Sequence, residues 1–222
     1  MITVHHLENS RSQRVLWLLE ELGLPYELRR YARDPKTMLA PPALRAVHPL
    51  GKSPVIEDEG RVLAESGAIL EYLAERHGGG RLLPPAGSEA ALRCRYWLHY
   101  AEGSLMPLLV MKLINSRIVP GSPTLIRPIA RKIAEALQNA YQEPNIKLQL
   151  AYVDQELGKH PWFAGEDLSI ADMQMSFPLE AALARAAKPG QYPNIASFVA
   201  RIQARAAYQR AAAKAGPAQP LR

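Results

Sequence analysis

Two short patches in the first third of the chain, Gly51-Lys52-Ser53-Pro54-Val55-Ile56 and Glu65-Ser66-Gly67-Ala68-Ile69-Leu70, have the composition of two halves of one site for an anionic ligand. Pro54 lacks the N–H that a sheet ladder needs, so it belongs at the start or edge of a strand. The backbone of Ser53 is thereby left free to pair with something other than a neighbouring strand. Ser66 stands where a helix should begin, because Ile69, Leu70, Leu73 and Ala74 recur at helical spacing and serine is a favoured N-cap. The unpaired N–H groups of a helix start attract anions.

The elements that must carry these patches follow from the apolar periodicity. Residues 2–7 and Tyr26 to Tyr31 read as short strands on either side of a helix from Ser12 to Leu22, whose Val15, Leu16, Leu18, Leu19 and Leu22 form an apolar face. Gly23 ends that helix and Pro25 prevents its resumption. A less regular stretch from Pro35 to Pro49 holds a short helix at Ala43–Val47, and Val55-Ile56-Glu57 and Arg61-Val62-Leu63 flank Asp58-Glu59-Gly60 as a hairpin. The order βαβαββα predicts an α/β domain with a mixed sheet covered by helices.

Gly78-Gly79-Gly80 and Pro84-Pro85-Ala86-Gly87 form the clearest break in composition. This divides the chain into residues 1–79, a linker over 80–88, and an all-helical domain over 89–222. Helices are expected over Leu92 to Met111 with a bend at Pro107, over Ile126 to Tyr141, over Ile146 to Leu157 and over Ile195 to Ala213, with residues 216–222 a frayed tail. Leu168-Ser169-Ile170-Ala171-Asp172-Met173 opens a further helix with Ser169 as N-cap and Asp172 three residues on, a capping box with Leu168 and Met173 as its staple. That spacing assigns Asp172 to the cap rather than to catalysis. No internal repeat is evident.

Composition narrows the partners. The chain has 222 residues, 48% of them apolar and 22% charged, ordinary values for a globular protein. Its net charge of +6 comes from basic residues spread singly along helices, with no tract longer than Arg29-Arg30 and no basic-aromatic interleaving, which argues against nucleic acid. No stretch reaches the roughly 18 apolar residues of a membrane span, and no secretory leader is recognisable, so no membrane association and a cytosolic location are expected. Cys94 is the only cysteine and reads as a packed helical thiol. The six histidines, at 5, 6, 48, 77, 99 and 160, show no metal-ligand spacing on a helix, so no metal is expected. Phosphate-binding glycine loops, Ser-His-Asp order and paired catalytic carboxylates are not found.

A βαβαββα domain with Lys52-Ser53-Pro54-Val55 before a hairpin and Glu65-Ser66-Gly67-Ala68-Ile69 after it, joined to helices opened by Ser169 and Asp172, resembles the cytosolic glutathione transferases over nearly the whole chain. Within them, Asn9-Ser10-Arg11-Ser12-Gln13-Arg14 is similar to the serine-type enzymes of a bacterial and fungal branch near the theta class. The resemblance implies a thioredoxin-like first domain that holds glutathione, a helical second domain that holds most of the electrophile pocket, a cleft where the two sites meet, a homodimer, and a role in detoxification. It further implies that Pro54 is cis, that the backbone of Ser53 pairs with the cysteinyl part of glutathione, and that Lys52 meets the glycyl carboxylate. Glu65 would face the γ-glutamyl amino group, and Ser66 its carboxylate.

Conjugation needs a thiolate, and a free thiol with a pKa near 8.5 is only about 3% ionised at pH 7. A hydroxyl hydrogen bond at a helix start can lower that pKa. Ser10, four residues before Arg14 and ahead of the first helix, is the leading candidate. Asn9, whose amide also donates, and Ser12, in the helix's first turn, remain alternatives. Tyr96, Tyr100 and Ser104 follow one face of a helix and are candidates for the electrophile pocket, while in some related classes an acidic residue near the place of Glu102 faces the partner's glutathione. The competing activities are glutathione-dependent reduction of peroxides or disulfides, and ligand carriage or protein interaction without chemistry. The lack of a cysteine beside Ser10 argues against a protein mixed disulfide.

Overall fold

The computed structural model describes residues 1–216. Its first part runs β1 (Ile2–Leu7), α1 (Ser12–Leu22), β2 (Tyr26–Tyr31), α2 (Pro42–Val47), β3 (Val55–Asp58), β4 (Arg61–Ala64) and α3 (Ser66–His77). The sheet order is β2-β1-β3-β4, with β1 parallel to β2 and antiparallel to β3, and β3 antiparallel to β4. This is the expected mixed sheet. β1 is central, and all six of its residues are buried. Its two histidines are accommodated by partners, His5 by the Tyr31 hydroxyl and the Glu57 carboxylate, each at 2.8 Å.

Helix α1 is buried on nearly every side, from Ser12 and Arg14 through Val15–Leu19 to Leu22. A helix enclosed all round lies between layers rather than on a surface. Here the sheet and α3 take one side, and helices of the second part take the other. Gly23 closes α1 at φ 68°, its N–H reaching the Leu19 carbonyl, a left-handed cap that glycine adopts without steric cost.

The second part comprises α4 (Glu89–Tyr100), α5 (Met106–Asn115), α6 (Ile118–Gly121), α7 (Arg127–Leu137), α8 (Glu143–Lys159), α9 (Ile170–Arg185), α10 (Pro193–Gln203) and α11 (Ala206–Ala215). Three helix boundaries differ from the sequence reading. The expected bend at Pro107 is replaced by a π-helical turn over Ala101–Leu105, after which Pro107 falls in the opening turn of α5, where its missing N–H removes no needed bond. The two segments expected at 126–141 and 146–157 abut through a second π turn, Gln138–Gln142, with Pro144 in the opening turn of α8. The single last helix expected over 195–213 is two, because Arg205 takes extended backbone between α10 and α11. That break turns α11 onto α1. The tail expected over 216–222 lies outside the described residues except for Gly216.

Cross-links between α1 and α11 are dense. Glu20 pairs with Arg210 at 2.8 Å and Lys214 at 2.6 Å, Arg205 grips both oxygens of Glu21 at 2.5 and 3.0 Å, and Trp17 meets Tyr208 edge-on at 5.3 Å. One apolar cluster runs from the sheet through α1 and α3 into α4, α9 and α10.

The capping box at the start of α9 is present. Asp172 is fully buried and accepts from the Ser169 N–H and hydroxyl at 2.8 and 3.0 Å and from the Phe163 N–H at 2.8 Å. Burial pushes its carboxyl up to about 6 against the pull of these donors. Asp172→Ala strands two buried N–H groups and removes the cap, at a cost of about 3 kcal/mol. Thermal unfolding should then fall by roughly 6–12 °C, a shift that calorimetry reads directly.

Candidate functional site

The two patches meet the N-terminal end of α1. The Ser53-Pro54 bond is cis, and the pairing of β1 with β3 stops at Val55, so the main chain of Ser53 stays outside the ladder. The Ser53 hydroxyl donates to the His5 carbonyl at 2.9 Å and accepts from the Leu7 N–H at 3.2 Å, tying this segment to the end of β1. Just before it, Gly51 has φ 56°, and a Cβ there would lie 2.6 Å from Cγ of Arg45. That position therefore requires glycine, and it fixes the approach of exposed Lys52.

Ser66 is not the N-cap of α3 but its first helical residue. Glu65 holds the cap position at φ 71°, outside helical space, and provides no side-chain cap bond. A left-handed non-glycine residue costs on the order of 1 kcal/mol and is characteristic of binding sites. The buried Ser66 hydroxyl accepts from Arg14 Nη1 at 3.0 Å, so its own proton is available to a ligand.

Ser10 is buried in the turn before α1. Its Oγ lies 2.7 Å from Ser12 Oγ and 3.2 Å from Ser53 Oγ, across 43 residues of sequence, and it accepts from the Ser12 N–H at 3.3 Å. Asn9 has φ 50°, and its carbonyl, like that of Glu8, accepts from Arg33. Ser12 Oγ contacts His6 Nδ1 at 2.6 Å. The structure thus joins Ser10, Ser12 and Ser53 in one hydroxyl cluster, while Ser66 is held by Arg14, further along α1.

Arg14 is the group whose environment the sequence left undefined. Its guanidinium is fully buried over the Phe177 ring, Nη1 donates to Ser66, to Glu102 at 2.6 Å and to Gln174 at 3.3 Å, and Nε and Nη2 have no hydrogen-bond partner among the described residues. Burial lowers its pKa to about 10, opposed by Glu102, so it stays charged at pH 7. Burial alone would raise the Glu102 carboxyl, but Arg14 and Arg11, the latter at 2.9 Å, outweigh it and hold it below the ordinary range. Glu102, weighed above as a residue facing a partner subunit, pairs within its own chain with Arg11 and Arg14. A hint was present in the sequence: Arg14 stands directly before the unbroken apolar run Val15–Leu19, which leaves its helix little solvent-facing surface.

Tyr96, Tyr100 and Ser104 do share a groove, of about 820 Å³, between α4 and α8, with Leu148, Gln149 and Tyr152 on its far wall. The two tyrosine rings stack at 5.8 Å, and the Tyr100 hydroxyl donates to Gln149. None of Ser10, Ser12, Lys52, Ser53, Glu65 and Ser66 lines it. Tyr96 and Tyr100 turn to α8, whereas Glu102, on the same stretch of chain, turns to α1. Cys94 is buried in α4, and burial raises its thiol pKa. Among the described residues no cluster of three or more His, Cys, Asp or Glu could hold a metal ion, and no helix is long and apolar enough to cross a membrane.

A four-stranded mixed sheet with a cis-proline loop and a helix start converging beside it, followed by a helical domain, places the protein in the class of two-domain proteins whose first domain is thioredoxin-like. Comparison with known proteins narrows the class. Residues 10–76 match the family model for the glutathione S-transferase N-terminal domain, and residues 113–206 match that for its C-terminal domain. Glutathione S-transferase 3 of Schizosaccharomyces pombe is 38% identical over 96% of this chain and 88% of its own, and glutathione S-transferase 1 of Saccharomyces cerevisiae is 38% identical over 97% and 95%. A crystal structure of a glutathione S-transferase from Actinobacillus pleuropneumoniae superposes with a TM-score of 0.82 at 34% identity, covering 97% of this chain and 93% of that one. The chain belongs to the cytosolic glutathione transferase superfamily.

Proposed function

We propose that this glutathione transferase holds glutathione across Lys52, the Ser53 backbone, Glu65 and Ser66, and that the Ser10 hydroxyl stabilises its thiolate for attack on a small apolar electrophile. The observation that carries the reading is the 3.2 Å approach of Ser10 Oγ to Ser53 Oγ, which sets the candidate hydroxyl beside the residue whose free main chain is suited to the cysteinyl part of the ligand. Ser66, at the start of α3 with its hydroxyl oriented by Arg14, suits the γ-glutamyl carboxylate. In the reaction the thiol proton leaves to solvent, and the thiolate sulfur forms a bond to the electrophilic carbon. The displaced group takes the electron pair, or the adduct takes a proton.

The burial of Cys94 supports this over disulfide exchange through a protein thiol, since a buried neutral thiol is a poor nucleophile. The reading includes a cytosolic homodimer. Exposed Leu92, Tyr96 and Leu148 on the rim of the α4–α8 groove suit a second copy of the chain better than solvent.

The test is ultraviolet difference absorbance of the thiolate of bound glutathione across pH, with binding measured separately. A titration about two units below the free value of 8.5 is expected. Glutathione that binds but titrates at its free value would instead make the protein a carrier.

A further inference from the structure

The proton positions in the hydroxyl cluster follow from the heavy atoms. A carbonyl only accepts, so the 3.1 Å contact between His6 Nε2 and the Ala215 carbonyl places a proton on Nε2. Burial lowers the His6 pKa, reinforced by Arg30 and opposed by the Ala215 carbonyl and Glu8, and the neutral ring then has a bare Nδ1. Ser12 Oγ, 2.6 Å away, must donate to it. Ser53 likewise commits its only hydroxyl proton to the His5 carbonyl. Ser12 and Ser53 can therefore only accept from Ser10. Ser10 alone has a hydroxyl proton without a fixed destination, and at 2.7 Å Ser12 Oγ is its nearer acceptor, against 3.2 Å for Ser53.

We propose that the His6–Ser12 pair is a positioning device that sets the direction of the Ser10 proton, parking it on Ser12 Oγ until a thiolate draws it away. The inference rests on the reading of Ser10 as the thiolate-stabilising group. Forming O–H···S⁻ then means giving up O–H···O to Ser12, while Ser10 keeps its own proton and the thiol proton goes to solvent. The parked bond competes with the thiolate, and its strength subtracts from the activation that Ser10 delivers. His6 keeps the competition in force, because a Ser12 hydroxyl released from Nδ1 can turn and donate to Ser10, and donation into Ser10 strengthens its own donation to sulfur.

The consequence runs against the usual effect of deleting a polar group from a site. Ser12→Ala should lower the apparent pKa of bound glutathione by about half to one unit below the parent, the worth of one neutral hydrogen bond. His6→Leu should move it in the same direction, and Ser12→Thr, which keeps the hydroxyl, should restore the parent value. The charged groups around the cluster, Arg11, Arg14 and Glu102 towards α4 and Glu8 and Arg30 beside His6, are unchanged in all these variants.

The experiment is the thiolate titration of bound glutathione for the full chain and for Ser10→Ala, Ser12→Ala, Ser12→Thr and His6→Leu, with thermal melts alongside. Loosened structure alone would raise the pKa towards the free value or abolish binding, so a lowered pKa separates positioning from scaffolding. A raised or unchanged pKa in Ser12→Ala or His6→Leu, with Ser10→Ala raised, overturns the inference and leaves Ser10 in place. An unchanged pKa in Ser10→Ala would overturn the reading of Ser10 itself.

Discussion

Ser10→Ala should carry the thiol of bound glutathione from about two units below its free pKa back to near 8.5, and the ionised fraction at pH 7 should fall about twentyfold. Conjugation of a chromogenic electrophile at pH 7 should fall by about the same factor, and the deficit should shrink as pH rises and solvent takes over the ionisation. The KM for glutathione should change little, since the ligand's two ends are assigned to Lys52 and Ser66, away from the substituted hydroxyl. Steady-state kinetics between pH 6 and pH 9 separate these effects. A variant with the parent's pH profile would move the assignment to Asn9, whose left-handed backbone stands beside Ser10 in the same turn.

Glu102→Ala should destabilise the protein by about 3–5 kcal/mol, because it leaves the guanidinium of Arg14 charged, buried and without its counter-ion. The cost lies in the stranded charge more than in the lost pair. The double variant Arg14→Met/Glu102→Leu should accordingly recover much of the loss in a denaturant titration, since apolar side chains of similar volume often replace a buried ion pair at little net cost. The double variant also removes the donor to the Ser66 hydroxyl, so stability should return while glutathione affinity does not. Full recovery of both would mean that Arg14 does no more than fill space.

The half-buried Glu102 and the buried Asp172 make opposite contributions to the pH dependence of stability. Glu102 has a folded pKa held below its unfolded value, so its contribution is complete above about 4.5 and is lost as pH falls through the folded value. Asp172 has its folded value raised from 3.8 to about 6, so its contribution is largest in acid and declines as pH climbs from about 4 to 6.

What could be read from the sequence was what a few neighbouring residues decide. Gly23 and Pro25 end α1, the Asp58-Glu59-Gly60 turn joins β3 to β4, and Ser169 with Asp172 opens α9, because each outcome depends on side chains within one turn. Ser10 and Ser53 were singled out separately for their local chemistry, and tertiary packing made them neighbours. Other features depend on partners far along the chain. Nothing near Ser66 indicates that Glu65 would take the cap position in a left-handed conformation, or that Arg14 would occupy the Ser66 hydroxyl from 52 residues away. The π turns escaped notice because periodicity continues through them, and the α10–α11 break because an apolar stripe says little about where a helix turns to meet Glu21. The surroundings of Tyr96 and Tyr100 are of the same kind. Their spacing puts them on one face, but the neighbour that face meets is decided by α8.

The seat of α11 on α1 bears on how the protein is made. The ion pair between Glu20 and Arg210 spans 190 residues, so the face of α1 that meets α11 stays bare until α11 has left the ribosome. A nascent chain ending in α3 has its sheet but not the cover for Trp17, nor the carbonyl that orders His6. Isolated from α11, the thioredoxin-like segment should therefore expose Trp17 and be prone to aggregate.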